Sequence, residues 1–284
     1  MIQLVSKEKR QCIENAVDYY LQHDITVKDC AKKYGIHRVT LGKYISQRDS
    51  EINTRRKFDI DDNFFDVIDT EEKAYTLGFF TADGCIRVKR KDMKISLNQK
   101  DRYILEAMQT AMNDKHPIKD YHITTNYGTT DISEWVFASH RIFKRLKEFG
   151  FENKTAHECF CEEIPKEMIR HYIRGIFDGD GWFSYTPIHS TKELGFGMGK
   201  QILESIRDTF IKDVGINEKY KVFPYKSIYR FRITSTEDVI KIFHYFYDNA
   251  TIFLNRKHDK MLSFCRSKMS PRESSNDQDG IKLE

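Results

Sequence analysis

The sequence has no apolar run approaching the ~18 residues that span a bilayer, and its opening, MIQLVSKEKRQC, has no hydrophobic core of a secretory signal. No membrane partner is therefore expected, and a cytoplasmic protein is the default expectation. Cysteine is sparse and scattered, at 12, 30, 85, 159, 161 and 265. Cys159 and Cys161 lie near His157, but a structural zinc site needs a second ligand pair at wider spacing, and none exists. Free thiols are expected. Net charge is also small, at +4, yet unevenly placed. Residues 1–58 carry 12 Lys+Arg against 7 Asp+Glu, a net of +5, and the remainder nets −1. A nucleic-acid partner would need the charges of the larger part sorted onto one face, which totals cannot reveal. What is present suffices for folding: 39% hydrophobic and 13% aromatic residues build cores, and 284 residues leave room for more than one folded unit.

Residues 1–46 read as three helices. EKRQCIENAVDYYLQH places Ile13, Ala16, Val17, Tyr20 and Leu21 on one stripe. In TVKDCAKKYGIHRVTLGKYIS, Thr26 is a candidate N-cap with Asp29 three residues on. Val27, Cys30, Ala31 and Tyr34 recur at helical spacing, Gly35 breaks the helix and Ile36 plugs the turn. A second helix starts near His37, with Val39 and Leu41 inward. The segment resembles a DNA-binding helix-turn-helix, in which His37, Arg38, Thr40, Lys43 and Tyr44 would face the major groove. Without a ligand it is a small helical bundle. Residues 47–62 form an aperiodic linker whose Arg55 and Arg56 could follow a DNA backbone. Residues 267–284 are polar and are expected to be disordered.

Between these segments the sequence repeats itself. AYTLGFFTADG (74–84) and YIRGIFDGDG (172–181) each lead into alternating strand-like residues, a helix, further strands and a second helix. Asp83 and Asp180 are 97 residues apart, and the strand-to-helix joints SEWVFAS (133–139) and YRFRITS (229–235) are 96 apart. This register indicates duplication. The expected class is α+β, two αββαββα units over 63–165 and 166–266.

Within each motif, small residues sit four apart, Gly78/Ala82 and Gly175/Gly179, clearing one helix face for close approach by another helix. Two glycines in one helix cost ~1 kcal/mol each, so packing must compensate. Asp83-Gly84 and Asp180-Gly181 then end the two helices, the glycine supplying φ > 0. A carboxylate at a helix C-terminus is unfavourable. Two brought together call for a cation, and divalent metal bridging to phosphate would serve.

TLGFFTADG and IRGIFDGDG resemble the two motifs of a monomeric, double-motif LAGLIDADG homing endonuclease, and the likeness extends over about residues 60–265. The resemblance implies a pseudo-twofold enzyme saddled on double-stranded DNA, cutting both strands with short 3′ overhangs, in a bacterial or phage-type host. It assigns Mg²⁺, with Mn²⁺ as a substitute, to Asp83 and Asp180. Thr81 stands where the family has an acid and Asp178 keeps it, a position that is not the main metal ligand. Lys154 and either Arg256 or Lys257 would stabilise charge on the scissile phosphate, and Gln99, with Lys200 its counterpart, would orient water. Bare exposed side chains are the plain alternative. For DNA recognition, Arg87, Lys89 and Lys91 would share one strand face opposite Ile86 and Val88. Arg230 and Arg232 would lie opposite Phe231 and Ile233, suited to guanine and adenine edges.

A non-catalytic DNA-binding regulator on the same fold is one alternative, although it need not keep both carboxylates. An RNA-splicing maturase is another. An intein is not expected, because no Cys or Ser opens the chain and no His-Asn closes it.

Overall fold

The computed structural model describes residues 7–23, 25–49, 58–125, 128–151 and 163–269. Three N-terminal helices, α1 (Lys7–Gln22), α2 (Val27–Lys33) and α3 (Arg38–Arg48), enclose a small core of Ile13, Ala16, Val17, Val27, Cys30, Ala31, Leu41 and Ile45. Thr26 caps α2 by accepting Asp29 N–H at 3.1 Å, and Gly35 makes the turn at φ +63°, a region that favours glycine. Ion pairs from Arg48 to Glu14 and Asp18 bind α3 to α1. Val39 is 72% exposed rather than inward, since Leu41 and Ile45 already define the buried face.

The remaining elements form a duplicate. The first set is α4 (Glu71–Asp83), β1 (Gly84–Arg87), β2 (Asp92–Asn98), α5 (Arg102–Ala111), β3 (Ile118–Thr125), β4 (Gly128–Phe137) and α6 (His140–Glu148). The second is α7 (Lys166–Asp180), β5 (Trp182–Thr186), β6 (Thr191–Met198), α8 (Lys200–Thr209), β7 (Val222–Tyr225), β8 (Ile228–Ile233) and α9 (Thr236–Tyr247). A last helix, α10 (Asn255–Met269), follows, so residues 267–269 are helical rather than part of a tail. Both sheets are antiparallel and share one order, β1-β2-β4-β3 and β5-β6-β8-β7.

Local chemistry repeats with the topology. Ser139 caps α6 through Ile142 N–H, and Ser235, 96 residues on, caps α9 through Asp238 N–H. On the strands, Met93, Ile95, Trp135 and Phe137 in one sheet, and Leu194, Phe196, Phe231 and Ile233 in the other, point into the core. Alternation buries one face of each sheet and leaves the other open. A single hydrophobic cluster from Ile60 to Cys265 includes both sets, with α4 and α7 passing through its middle.

Candidate active site

α4 and α7 pack backbone to backbone. A Cβ on Gly78 would overlap the carbonyl of Tyr172, and one on Gly175 would lie 2.7 Å from Phe79 N, so both positions require glycine. A Cβ on Gly179 would collide with Ala82 and stand 3.2 Å from Asp83 Oδ2. The four small residues thus lie at the helix contact, and the α4 carboxylate reaches the end of α7. Gly84 and Gly181 do not adopt positive φ; they are extended at −74° and −77°. They are glycines for space, because a Cβ would strike Phe80 and Phe177 respectively.

The helix pair is cross-bonded in pseudo-twofold fashion. Tyr75 Oη donates to Asp178 Oδ2 at 2.8 Å, and Tyr172 Oη lies 3.1 Å from Thr81 Oγ1. Asp178 is buried and also accepts Leu254 N–H at 2.7 Å, so it joins α7 to the chain entering α10. Burial lifts its carboxyl to about 6, although Lys257, the Leu254 N–H and Tyr75 pull downward. Arg174, wholly buried, donates to Glu71 at 2.6 Å, Phe246 O at 2.7 Å and Ile252 O at 3.1 Å. Glu71 also accepts Thr251 N–H at 2.7 Å. This network fixes the start of α4 to α7 and to the connection before α10.

Asp83 and Asp180 end α4 and α7 and, unlike Asp178, accept no hydrogen bond from the described residues. Burial raises the Asp83 carboxyl to about 6 against the pull of Lys257 and Arg256. Asp180 rises to about 6 through burial and then through the charge of Asp83. Among the described residues no group of three or more His, Cys, Asp or Glu converges as a metal cage. Two hard carboxylates without partners still fit Mg²⁺, which keeps several waters and commonly takes one or two carboxylates plus substrate phosphate.

Lys257 does not offer its ammonium to a phosphate. It is 7% exposed and donates to Phe177 O at 2.5 Å, Asp178 O at 2.8 Å, Gly179 O at 3.3 Å and Gly181 O, capping the negative end of α7. Burial lowers it to about 8 despite the nearby carboxylates. Arg256, more than half exposed, pairs with Asp101 at 2.9 Å, and the Asn255 N–H reaches Tyr103 Oη at 2.5 Å. The first turn of α10 therefore bridges both repeats. Asp101, Tyr103, Arg174 and Glu71 belong to the site's surroundings with no local signal in the sequence. Gln99 is exposed in a short 3₁₀ turn (Gln99–Asp101) and bonds Asp120. Lys200 lies exposed opposite Glu204. Lys154, Arg55 and Arg56 lie outside the described residues.

The expected strand face of Arg87, Lys89 and Lys91 does not form. β1 stops at Arg87, and residues 88–91 turn, with Lys91 at φ +52° and Val88 exposed. Arg87 instead forks onto Asp92 at 2.6 and 2.8 Å. Arg230 and Arg232 do occupy the open face of β8, opposite buried Phe231 and Ile233. On α3, His37, Arg38 and Lys43 are exposed, whereas Thr40 and Tyr44 are half-buried, Tyr44 against the small core.

Residues 70–150 match the model of the LAGLIDADG-like domain. None of the curated proteins compared is significantly similar in sequence. Among solved structures, the homing endonuclease I-WcaI bound to its DNA recognition sequence aligns at a TM-score of 0.52 and 15% identity, over 68% of this chain and 87% of that one. The LAGLIDADG meganuclease I-CpaMI bound to uncleaved DNA aligns at 0.47 and 13%, over 68% and 89%. Full-length DUF199/WhiA from Thermatoga maritima aligns at 0.45 and 16%, over 72% of this chain and 64% of that one, so the chain spans less than two thirds of its length. With a LAGLIDADG-like domain at its first motif and the same helix and sheet order repeated after the second, the chain has the fold of the double-motif LAGLIDADG homing endonucleases.

Proposed function

We propose that the chain is a site-specific DNA endonuclease that needs a divalent metal, Mg²⁺ or Mn²⁺, and cuts both strands of a long site to leave short 3′ overhangs. The observation that carries this reading is the pair Asp83 and Asp180, brought together at two helix ends without hydrogen-bond partners among the described residues and both raised to about 6. Such a pair is costly unless a cation joins it. The DNA-bound state of I-WcaI, whose fold the chain shares, supports the substrate class.

Each element of the site has its part. Asp83 and Asp180 would hold Mg²⁺ through their oxygens. When bound, the metal supplies charge neutralisation at the scissile phosphates and a water of lowered pKa. The glycine contact of α4 with α7 sets the spacing of the carboxylates, and Lys257 fixes the end of α7 by binding its carbonyls. Arg256, exposed beside Asp101, would meet a phosphate. The open sheet faces lie along the duplex as a monomer would require, and α3 extends the contact, with Arg38 and Lys43 outward.

Incubating a randomised plasmid library with the protein and Mg²⁺ tests this. Discrete double-strand cuts that vanish with EDTA, in Asp83→Asn and in Asp180→Asn, support the endonuclease. Tight, specific duplex binding with no cut in Mg²⁺ or Mn²⁺ would instead establish a DNA-binding regulator.

A further inference from the structure

The open faces of the two sheets differ in chemistry. On the first, Arg87 is bound to Asp92 and Lys94 to Glu134, whereas Lys119, across from Glu134 on β3, is exposed. On the second, Arg232 pairs with Glu193 at 3.0 Å, and Trp182 Nε1 donates to the same carboxylate at 3.0 Å. Arg230 has no such partner. Its guanidinium carbon lies 3.4 Å from the Tyr225 ring centre and 5.3 Å from that of Trp182. Its Nε is buried and unbonded, and its terminal nitrogens make no hydrogen bond within the described residues. Ninety-six residues earlier, the corresponding position of β4 is Glu134.

The surroundings hold this guanidinium in place. β8 lies inside the sheet between β6 and β7, so Arg230 occupies the middle of the face rather than its rim. Across the strands it faces Phe223 on one side and Gly197 on the other. A Cβ on Gly195 would strike the Trp182 ring, so glycine there lets the indole lie against the sheet. Stacking fixes the plane of the fork without using its donors. Arg232 and the lysines lack this combination of fixed plane and open donors.

From this geometry we infer that Arg230 is a pre-set guanine reader, donating both terminal N–H groups to O6 and N7 of one guanine in the major groove of the half-site under the second sheet. The inference rests on the DNA-binding reading above. The planar fork matches the guanine edge, and this acceptor pair is the commonest base-specific contact of arginine in duplex DNA. A phosphate contact would suit an arginine at the rim and would not need its plane fixed. The first sheet has no equivalent, so the two half-sites are read by different chemistry.

The test selects bound duplexes from a randomised library with the full-length protein, then repeats the selection with Arg230→Ala, Arg230→Lys and Tyr225→Leu. The wild type is expected to demand guanine at one position that both Arg230 variants lose, while other positions hold. Tyr225→Leu, which keeps the arginine but removes its platform, should weaken the same preference. Replacing that guanine by 7-deazaguanine, which lacks N7 but keeps O6, should weaken wild-type binding by part of the roughly 5- to 150-fold that a whole bidentate base contact is worth, and leave Arg230→Ala unchanged. The lysine variant guards against a folding defect, since it keeps charge and length. Uniform loss across all sequences with a shallower salt slope would mean a phosphate contact and overturn the inference. So would a wild-type site with no guanine that depends on Arg230. Failure of the wild type to bind any duplex would instead overturn the proposed function, and this inference with it.

Discussion

Asp83 and Asp180 occupy helix C-termini, where the backbone dipole already places negative charge, and burial there adds a desolvation cost. Their folded carboxyls stand at about 6, above the 3.8 of an unstrained aspartate. A group raised in the folded state adds stability below its unfolded value and loses it as pH climbs through its folded one. The metal-free protein should therefore weaken between about pH 4 and pH 6. Asp83→Asn should stabilise it at pH 7.5 by on the order of 1 kcal/mol, a value discounted for solvent screening. Thermal melts in EDTA would check this, and equal melting temperatures at pH 7.5 would refute it. The difference should close by pH 4, and Mg²⁺ with DNA should favour the wild type again. Glu71 presents the opposite case. Its removal in Glu71→Ala leaves Arg174 buried without its carboxylate, and denaturant unfolding should show a loss of about 3–5 kcal/mol.

At the scale of elements, the α4–α7 contact tolerates no added atom. Gly175→Ala would drive a methyl into the α4 backbone, where nothing flexible can yield. We expect loss of at least ~3 kcal/mol or failure to fold, read by circular dichroism and melting. Lys257→Met removes the cation that caps α7 while keeping the length of the side chain. It should slow cleavage and raise the Mg²⁺ concentration needed for half-maximal rate, leaving DNA affinity nearly unchanged in filter binding. An unchanged Mg²⁺ requirement with a slower rate would instead mean that the ammonium acts on substrate. How much of this was legible depends on distance along the chain. The small residues four apart and the 97-residue offset are local patterns, so both helices and their contact face can be read from sequence. The identity of Lys257 can also be read, but not its target, because the carbonyls it caps lie 76–80 residues away. The early end of β1 could not be read: Val88-Lys89-Arg90-Lys91 continues the strand alternation, yet the hairpin turns there, with Lys91 at φ +52°, and leaves Val88 exposed.

For the whole molecule, the N-terminal helices and the body have separate hydrophobic clusters, so each can be stable without the other. Deleting residues 1–58 should weaken duplex binding and flatten its salt dependence, by about one unit of slope for each phosphate no longer neutralised, while cleavage at saturating protein continues. Equal affinity and slope in the truncated protein, measured by titration between low and moderate salt, would remove α3 from the DNA contact. The sequence by itself determined the duplication, the helix-strand order and the two aspartates, since each is a periodic or repeated pattern that survives without three-dimensional information. Only the tertiary structure decided which charged groups are already satisfied. Arg87, Lys94, Arg232 and Lys257 are taken up by partners, and among the described residues Arg230, Asp83 and Asp180 have no hydrogen-bond or ion-pair partner. That distinction rests on proximity between residues far apart in the chain, which composition and local spacing do not encode.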